Sequence, residues 1–402
     1  MCPILILMTV LNTRRTTQAV AIAAMGLGLA TVVPTVAGAT YPGGNGDIAF
    51  VTTRGSNVNI LQVNPNAPNI GTSAGDLAAT TPLTAGATDA EPFYSPDGTQ
   101  VVFSSNRNGR FGIFTVAQSD TNEATPAVEI SQTTPESHDD YGPSFSPDGS
   151  VVVFNRDNLA ITSVVASVGP SSACTLYTPA GGLALGGTNG DASRVVFDPV
   201  DATKLVYVSG TNQIHLLNGF VQPTAATPCP SEAGVTDVNL STTATGSALG
   251  SAADENPDWA PDGSKIVFDS TRSGGHSLWY FTNPTSATPT VAALWPGQAG
   301  SGGTTDTQPV FSPDGLHIAY TQPVTQNGQQ VIDYESNTFG APLSSATDLT
   351  LGVGKSANSQ PAWQPLQPGP STPEAPSALL LPGVALLAGG GFLLVRSRRR
   401  TA

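Results

Sequence analysis

Phe93-Tyr94-Ser95-Pro96-Asp97-Gly98, followed at once by a strand through Val101-Val102-Phe103, is the stretch on which the reading of this chain turns. Ser, Pro, Asp and Gly in that order is the residue preference of a type I turn, because proline pre-sets φ and the short polar side chains bond locally. Buried-type residues straight after the turn make the phrase the tip of a β-hairpin. It returns as Phe-Ser-Pro-Asp-Gly at 145–149 and 311–315, as Trp-Ala-Pro-Asp-Gly at 259–263, in worn form as Phe-Asp-Pro at 197–199, and last as Ala-Trp-Gln-Pro at 362–365. Pro96, Pro147, Pro199, Pro261, Pro313 and Pro365 are separated by 51, 52, 62, 52 and 52 residues, which marks a repeat array.

Each repeat continues in the same way. The hairpin partner (Val101–Phe103, Val151–Phe154, Lys204–Tyr207, Ile266–Phe268, Ile318–Tyr320) runs into a polar break such as Ser104-Ser105-Asn106-Arg107-Asn108-Gly109 or Asp269-Ser270-Thr271-Arg272-Ser273-Gly274. A third strand follows (Phe111–Val116, Gln213–Leu217, Ser277–Phe281), then a short fourth (Ala127–Ser131, Val238–Ser241, Ala346–Thr350). Four strands in about fifty residues describe a propeller blade, so the fold class is all-β. Gly46–Arg54 matches the second strand of a blade and has no opening strand upstream, whereas Gln360–Pro365 matches an opening strand and has nothing after it. Pairing the two completes a sixth blade and removes the open sheet edges. Trp363 is expected in the core position of Phe93, Phe145, Phe197, Trp259 and Phe311.

These residues resemble the six-bladed propellers of the TolB type, built from WD40-like repeats with an aromatic, Ser-Pro-Asp-Gly, a short strand, and Arg plus Gly in the next turn. The resemblance covers residues 45 to 365. It implies a closed six-bladed ring and a binding or scaffolding role, although propellers host unrelated activities. The fourth repeat departs from the pattern with Asp198-Pro199-Val200-Asp201-Ala202-Thr203, and an insertion of about ten residues precedes Pro261.

The ends of the chain predict an address. Residues 1–39 carry no acid, hold Arg14 and Arg15, an apolar run from Ala19 to Val33, and finish at Ala37-Gly38-Ala39, a small-x-small cleavage site. This reads as a signal peptide cut after Ala39, and the missing hydrophobic residue after the arginines favours general secretion over a twin-arginine route. The propeller then spans 40–367, a Pro/Ser-rich linker 368–377, an uncharged transmembrane anchor 378–395, and a basic cytoplasmic tail 396–402 with Arg396, Arg398, Arg399 and Arg400. Pro373-Glu374-Ala375-Pro376 before the span resembles the sorting tails recognised by exosortase-like enzymes, with Ala375 where their Pro-Glu-Pro motif has its second proline. The expected location is the cell surface, with the propeller outside the cytoplasm and a sortase-like enzyme as the processing agent.

Setting aside Arg14, Arg15 and the four C-terminal arginines, 9 of the 15 basic residues remain against 29 acidic ones. That surplus repels phosphate backbones and excludes nucleic acid as partner. With Cys2 removed alongside the leader, Cys174 and Cys229 are left, an even count that suggests one disulfide in an exported domain.

Catalytic patterns fail on context. Gly71-Thr72-Ser73-Ala74-Gly75 matches a nucleophile elbow but lies in a loop of Asn, Pro, Gly and Ala. His138, His215, His276 and His317 occupy different places in their repeats and form no pair at metal-ligand spacing, and turn geometry accounts for Asp97, Asp148, Asp262 and Asp314. One set recurs just before the opening strands: Asp89 and Glu91, Asp139 and Asp140, Asp254 and Glu255, and Asp306, with Asp191 in the fourth repeat and Asn358-Ser359 in the closing one. Where a propeller's chain enters near the axis, these acids would form an acidic channel mouth that focuses the field on a cation, a basic peptide or a polar ligand. The expectation is therefore a non-enzymatic binding or scaffolding propeller for an envelope protein, a glycan or a small ligand. It has no cofactor beyond Ca2+ or another cation at the channel mouth. The alternative is a propeller hydrolase or lyase with an axial metal.

Overall fold

The computed structural model describes residues 40–367 apart from 55–56, 69–79, 86, 122–123, 133–136, 184–193, 247–251, 296–305, 325–328, 337–338, 340–345 and 351–356. The leader, linker, membrane span and basic tail expected from the sequence lie outside these residues, as do the loop Gly71 to Gly75 and Asp191.

Among the described residues the strands form six sheets, one per repeat. Blade 2 is Asp89–Tyr94, Gln100–Ser105, Gly112–Ala117 and Val128–Glu129 in sequential antiparallel order, and blade 3 repeats it from Asp140–Phe145 to Cys174–Tyr177. Blades 4, 5 and 6 open with Val196–Asp198, Asp254–Trp259 and Thr307–Phe311. Blade 5 gains a fifth strand, Thr245–Gly246, parallel to Thr290–Ala293, from the insertion before Pro261. In blade 4 Leu240 and Ser241, expected to end the fourth strand, instead begin the short helix Leu240–Thr243, which Asn239 caps by accepting from the Thr242 N–H at 3.1 Å.

Blade 1 is the closure. Asn358–Leu366 pairs antiparallel with Gly44–Arg54, placing Trp363 opposite Ile48, and the Trp363 indole N–H donates to the Gly46 carbonyl at 3.2 Å. The opening strands of blades 2, 3, 4, 5, 6 and 1 touch one another in that circular order.

The Ser-Pro-Asp-Gly phrase forms the expected turn. Gly98 N–H bonds back to the Ser95 carbonyl at 2.9 Å with Gly98 at φ 69°, and Asp97 accepts from the Thr99 N–H at 3.0 Å. Burial works against the Asp97 charge, but the bonds from Ser95 and Thr99 outweigh it and hold the carboxyl below its usual range. Asp148, Asp262 and Asp314 sit in the same geometry.

One expectation is corrected by the pairing register. Opposite Val101 stands Tyr94, as Phe145 stands opposite Val152, Trp259 opposite Ile266 and Phe311 opposite Ile318. Tyr94 rather than Phe93 is therefore the equivalent of Trp363, packed on the preceding blade with Ala49, Val51 and Ile60, while Phe93 faces blade 3. A one-residue slip exchanges the two faces of a strand.

Candidate functional site: the inner ring and the axial channel

Every described opening strand of blades 1, 2, 3, 5 and 6 breaks at the residue before a proline: Gln360, Glu91, Gly142, Asn256 and Gln308 all have φ between 51° and 57°. Left-handed backbone is uncommon for residues with a Cβ and stores strain, and the pairing register slips at each of these positions. The bulge turns one N–H and one side chain toward the neighbouring blade. Gln308 Oε1 accepts from the Gln360 N–H at 2.8 Å, Gln360 Oε1 from the Glu91 N–H at 2.7 Å, and Glu91 Oε2 from the Gly142 N–H at 2.7 Å. In blade 5 Asn256 is too short for this, and Asp269 on the second strand takes over, accepting from both Asn256 Nδ2 and the Gln308 N–H. Blades 5, 6, 1, 2 and 3 are thus tied in sequence by buried hydrogen bonds around the axis.

The expected acidic mouth resolves into several different roles. Asp89, Asp140 and Asp254 are fully buried at the top of their strands and pair with Arg107, Arg156 and Arg272, whose guanidinium groups stack on Phe103, Phe154 and Phe268. Burial pushes the Asp140 and Asp254 carboxyls up, against the pull of their arginines. Glu91 is the blade 2 link of the ring and also accepts from Ser104 Oγ. Asp139 is partly exposed, bridged to Arg110 and accepting from the Phe111 N–H. Asp306 occupies the aspartate position of blade 6, but Gln322 replaces the arginine and donates at 3.2 Å. Burial pushes the Asp306 carboxyl up to about 6. Asn358 holds this place in the closing strand.

The axial channel is filled from the turn face by residues the sequence did not single out. Tyr41 donates its hydroxyl to the Phe145 carbonyl at 2.8 Å and stands edge-on to Phe93, and Thr40 Oγ1 donates to Asp258 Oδ2 at 2.8 Å. These contacts reach blades 2, 3 and 5, so the two residues cross the axis. Only about 10 Å³ of free space remains among Thr40, Tyr41, Phe93, Arg194, Asp258 and Trp363. Burial pushes the Asp258 carboxyl up to about 6, against bonds from the Phe311 N–H and Thr40 and the attraction of Arg194. A wider cleft of about 440 Å³ opens on the turn face between Pro96 and Asp148.

A mixed donor set lies at the other end of blade 5. Glu255, Asp269 and His276 bring one ligand atom each within 4.8 Å of one another, with His276 Nδ1 at 3.1 Å from Asp269 Oδ2. Spacing along the chain hid this set, because Glu255 and Asp269 are cross-strand partners and His276 arrives from the following turn. The Asp269 bond raises the His276 imidazole above its ordinary range, against burial. Cys174, on the fourth strand of blade 3, is bonded to Cys229, in the loop before the fourth strand of blade 4, with their Cα atoms 5.4 Å apart, and Asp237 accepts from Tyr177 and Tyr207 and faces His215 at 2.7 Å.

No family model and no curated protein matches the sequence. Among solved structures the chain is similar to TolB from Acinetobacter baumannii, with 14% identity, a TM-score of 0.52, and coverage of 80% of this chain and 67% of that one. It is also similar to a putative TolB from Agrobacterium tumefaciens (13% identity, TM-score 0.45, 80% and 99% coverage) and to a chain of a nidogen/laminin complex (11%, 0.49, 80% and 99%). The first of these likenesses shows the fold, a TolB-like six-bladed β-propeller.

Proposed function

We propose that this chain is an exported, surface-anchored binding or scaffolding propeller that recognises an envelope protein or glycan with the loop face opposite its Ser-Pro-Asp-Gly turns. The observation that carries this reading is where the propeller's first and last strands meet the turns. Gly43 N–H bonds to Pro313, Asn45 Nδ2 to Asp314 and Gln367 Nε2 to Pro96, all on turns, so the propeller's first and last strands meet the turn face and an anchor that follows Gln367 starts from it. That face lies toward the membrane and the other face outward, carrying the half-exposed Arg110–Asp139 and His138–Asp157 pairs. The inner acids serve the ring, and recognition falls to these outer loops.

The test is capture of envelope extract and a glycan array on immobilised ectodomain, at low and moderate salt. The expected result is a partner lost on combined Arg110→Ala and Asp139→Asn substitution and retained on substitution at Asp97 or Asp148. Capture that ignores the loop face and follows the turn face overturns the orientation. The Glu255–Asp269–His276 set favours a second reading, a metal-bearing hydrolase or lyase. It predicts Mn2+ or Zn2+ binding by calorimetry that His276→Ala abolishes.

A further inference from the structure

The first residue after the Ala37-Gly38-Ala39 cleavage site is the residue that touches the buried acid of the channel. Thr40 is 6% exposed, Tyr41 is 1% exposed, and Thr40 Oγ1 bonds Asp258 Oδ2. We propose that export processing makes the ligand of this axial site: hydrolysis of the Ala39–Thr40 bond creates an α-ammonium that pairs with Asp258 and locks the chain's new N-terminus inside the ring.

The inference rests on the cleaved leader proposed above. Leader peptidase and water supply the chemistry. One water adds across the amide, Ala39 leaves as a carboxylate, and Thr40 keeps the nitrogen and takes up a proton. A neutral N–H with one donor becomes a cation with three. Its nitrogen is three covalent bonds from Thr40 Oγ1, hence about 3 Å from the atom that already contacts Asp258.

Asp258 is a buried acid whose hydrogen bonds come from neutral groups and whose nearby cation, Arg194, is turned to another blade. The same position on the other opening strands holds Phe93, Ser144, Val196, Val310 and Ala362, none of them ionisable. Asp258 is 1% exposed, and the Phe311 N–H at 2.9 Å, Thr40 Oγ1 and the Trp259 N–H that bond it are all neutral donors. Arg194 attracts it from blade 4 while donating to the Pro361 carbonyl at 3.3 Å. A buried carboxylate needs a close, hydrogen-bonded cation to offset its lost hydration. The charged and titratable groups around Thr40 and Tyr41 are Asp258, Arg194, Asp148 and Tyr94, two carboxylates against one guanidinium, and Asp258 is the one that Thr40 already bonds. Processing then does more than release the protein. It turns the last residues threaded through the channel into a plug that joins blades 2, 3 and 5.

The experiment uses the protein recovered in detergent from its own envelope. N-terminal sequencing is expected to begin Thr-Tyr-Pro-Gly. The α-amino group, followed by NMR after reductive 13C-methylation, is expected to titrate well above its ordinary value of about 8 and to return to it in Asp258→Asn. Placing Gly-Ser ahead of Thr40 should lower Tm by several degrees in the native background and leave Tm of Asp258→Asn unchanged. A start at any other residue overturns the cut site and the pairing together. A start at Thr40 with ordinary titration, or an extension whose effect simply adds to that of Asp258→Asn, overturns the pairing and leaves the leader standing. If Asp258→Asn fails to fold, the titration and the extension in the native background decide.

Discussion

Blades 2 and 6 are built on one template and differ in the partner of the buried acid that opens each. In blade 2 Asp89 meets Arg107, which reaches back across the hairpin at 2.9 Å and stacks between Phe103 and Phe114. In blade 6 the equivalent carboxylate, Asp306, meets the amide of Gln322 and, among the described residues, no arginine. Both acids are excluded from water. The difference shows that the aspartate at the top of an opening strand is a structural half whose value depends on an arginine 16 to 18 residues downstream. Where the arginine is absent the acid becomes a cost, and its proton is held to higher pH.

The strongest way to break the comparison is Arg107→Ala. It strands Asp89 as an uncompensated buried charge, and the expected loss is about 3 to 5 kcal/mol of unfolding free energy at neutral pH. Arg107→Gln, which rebuilds blade 2 as blade 6, should cost less, because an amide still donates to the carboxylate. Urea unfolding of both variants at pH 7 checks the order. Equal stability of Arg107→Ala and the native protein would mean that the blades stand on their cores alone.

The opposite effect is expected in blade 6. A carboxyl raised to about 6 in the folded state, against about 4 in the unfolded chain, binds its proton more tightly when folded. Stability therefore falls as pH rises from about 4 to about 6, and the deficit persists above that. Asp306→Asn removes it, with an expected gain of roughly 2 to 3 kcal/mol at pH 7 and none below pH 4. Unfolding curves at pH 3.5, 5 and 7 for the native and variant proteins provide the measurement, and a gain independent of pH would assign the effect to packing. Gln322→Arg should recover part of the same gain by supplying the missing cation.

These contrasts mark how far the sequence could be read. The turns, the six repeats and the closing strand were legible because each rests on a local rule, the residue preference of a type I turn or an unpaired half-blade at either end. The repeated aspartates were legible as a set, but the arginines that pair with three of them were not singled out. Asp89–Arg107, Asp140–Arg156 and Asp254–Arg272 are ion pairs across a hairpin, and the Asp-to-Arg spacing stood in the sequence as their signature. Tyr94 was missed as the equivalent of Trp363 because blade 2 carries two aromatics in a row, and only the one two residues before the turn proline, Tyr94, stands where Phe145, Trp259, Phe311 and Trp363 stand. The Thr40–Asp258 contact had no local mark at all, since its partners stand 218 residues apart.

The smallest expected effect concerns the ring, and it comes from comparing blades 1 and 3. Gln360 carries the amide that receives the Glu91 N–H of the next blade, whereas blade 3 has Gly142 at the corresponding bulge and no side chain to offer. Gln360→Gly gives blade 1 the constitution of blade 3. The left-handed φ of 55° at this position favours glycine, which eases backbone strain, while the Glu91 N–H loses its acceptor, worth about 1 kcal/mol net. The two effects oppose, so global stability should move by less than about 1 kcal/mol. Hydrogen exchange separates them: the Glu91 amide should exchange markedly faster in Gln360→Gly, and the Gly142 amide, still held by Glu91 Oε2, should not change. Equal acceleration at both amides would mean that the links open as one ring rather than blade by blade, and the inner circle of hydrogen bonds would then be a single cooperative clasp.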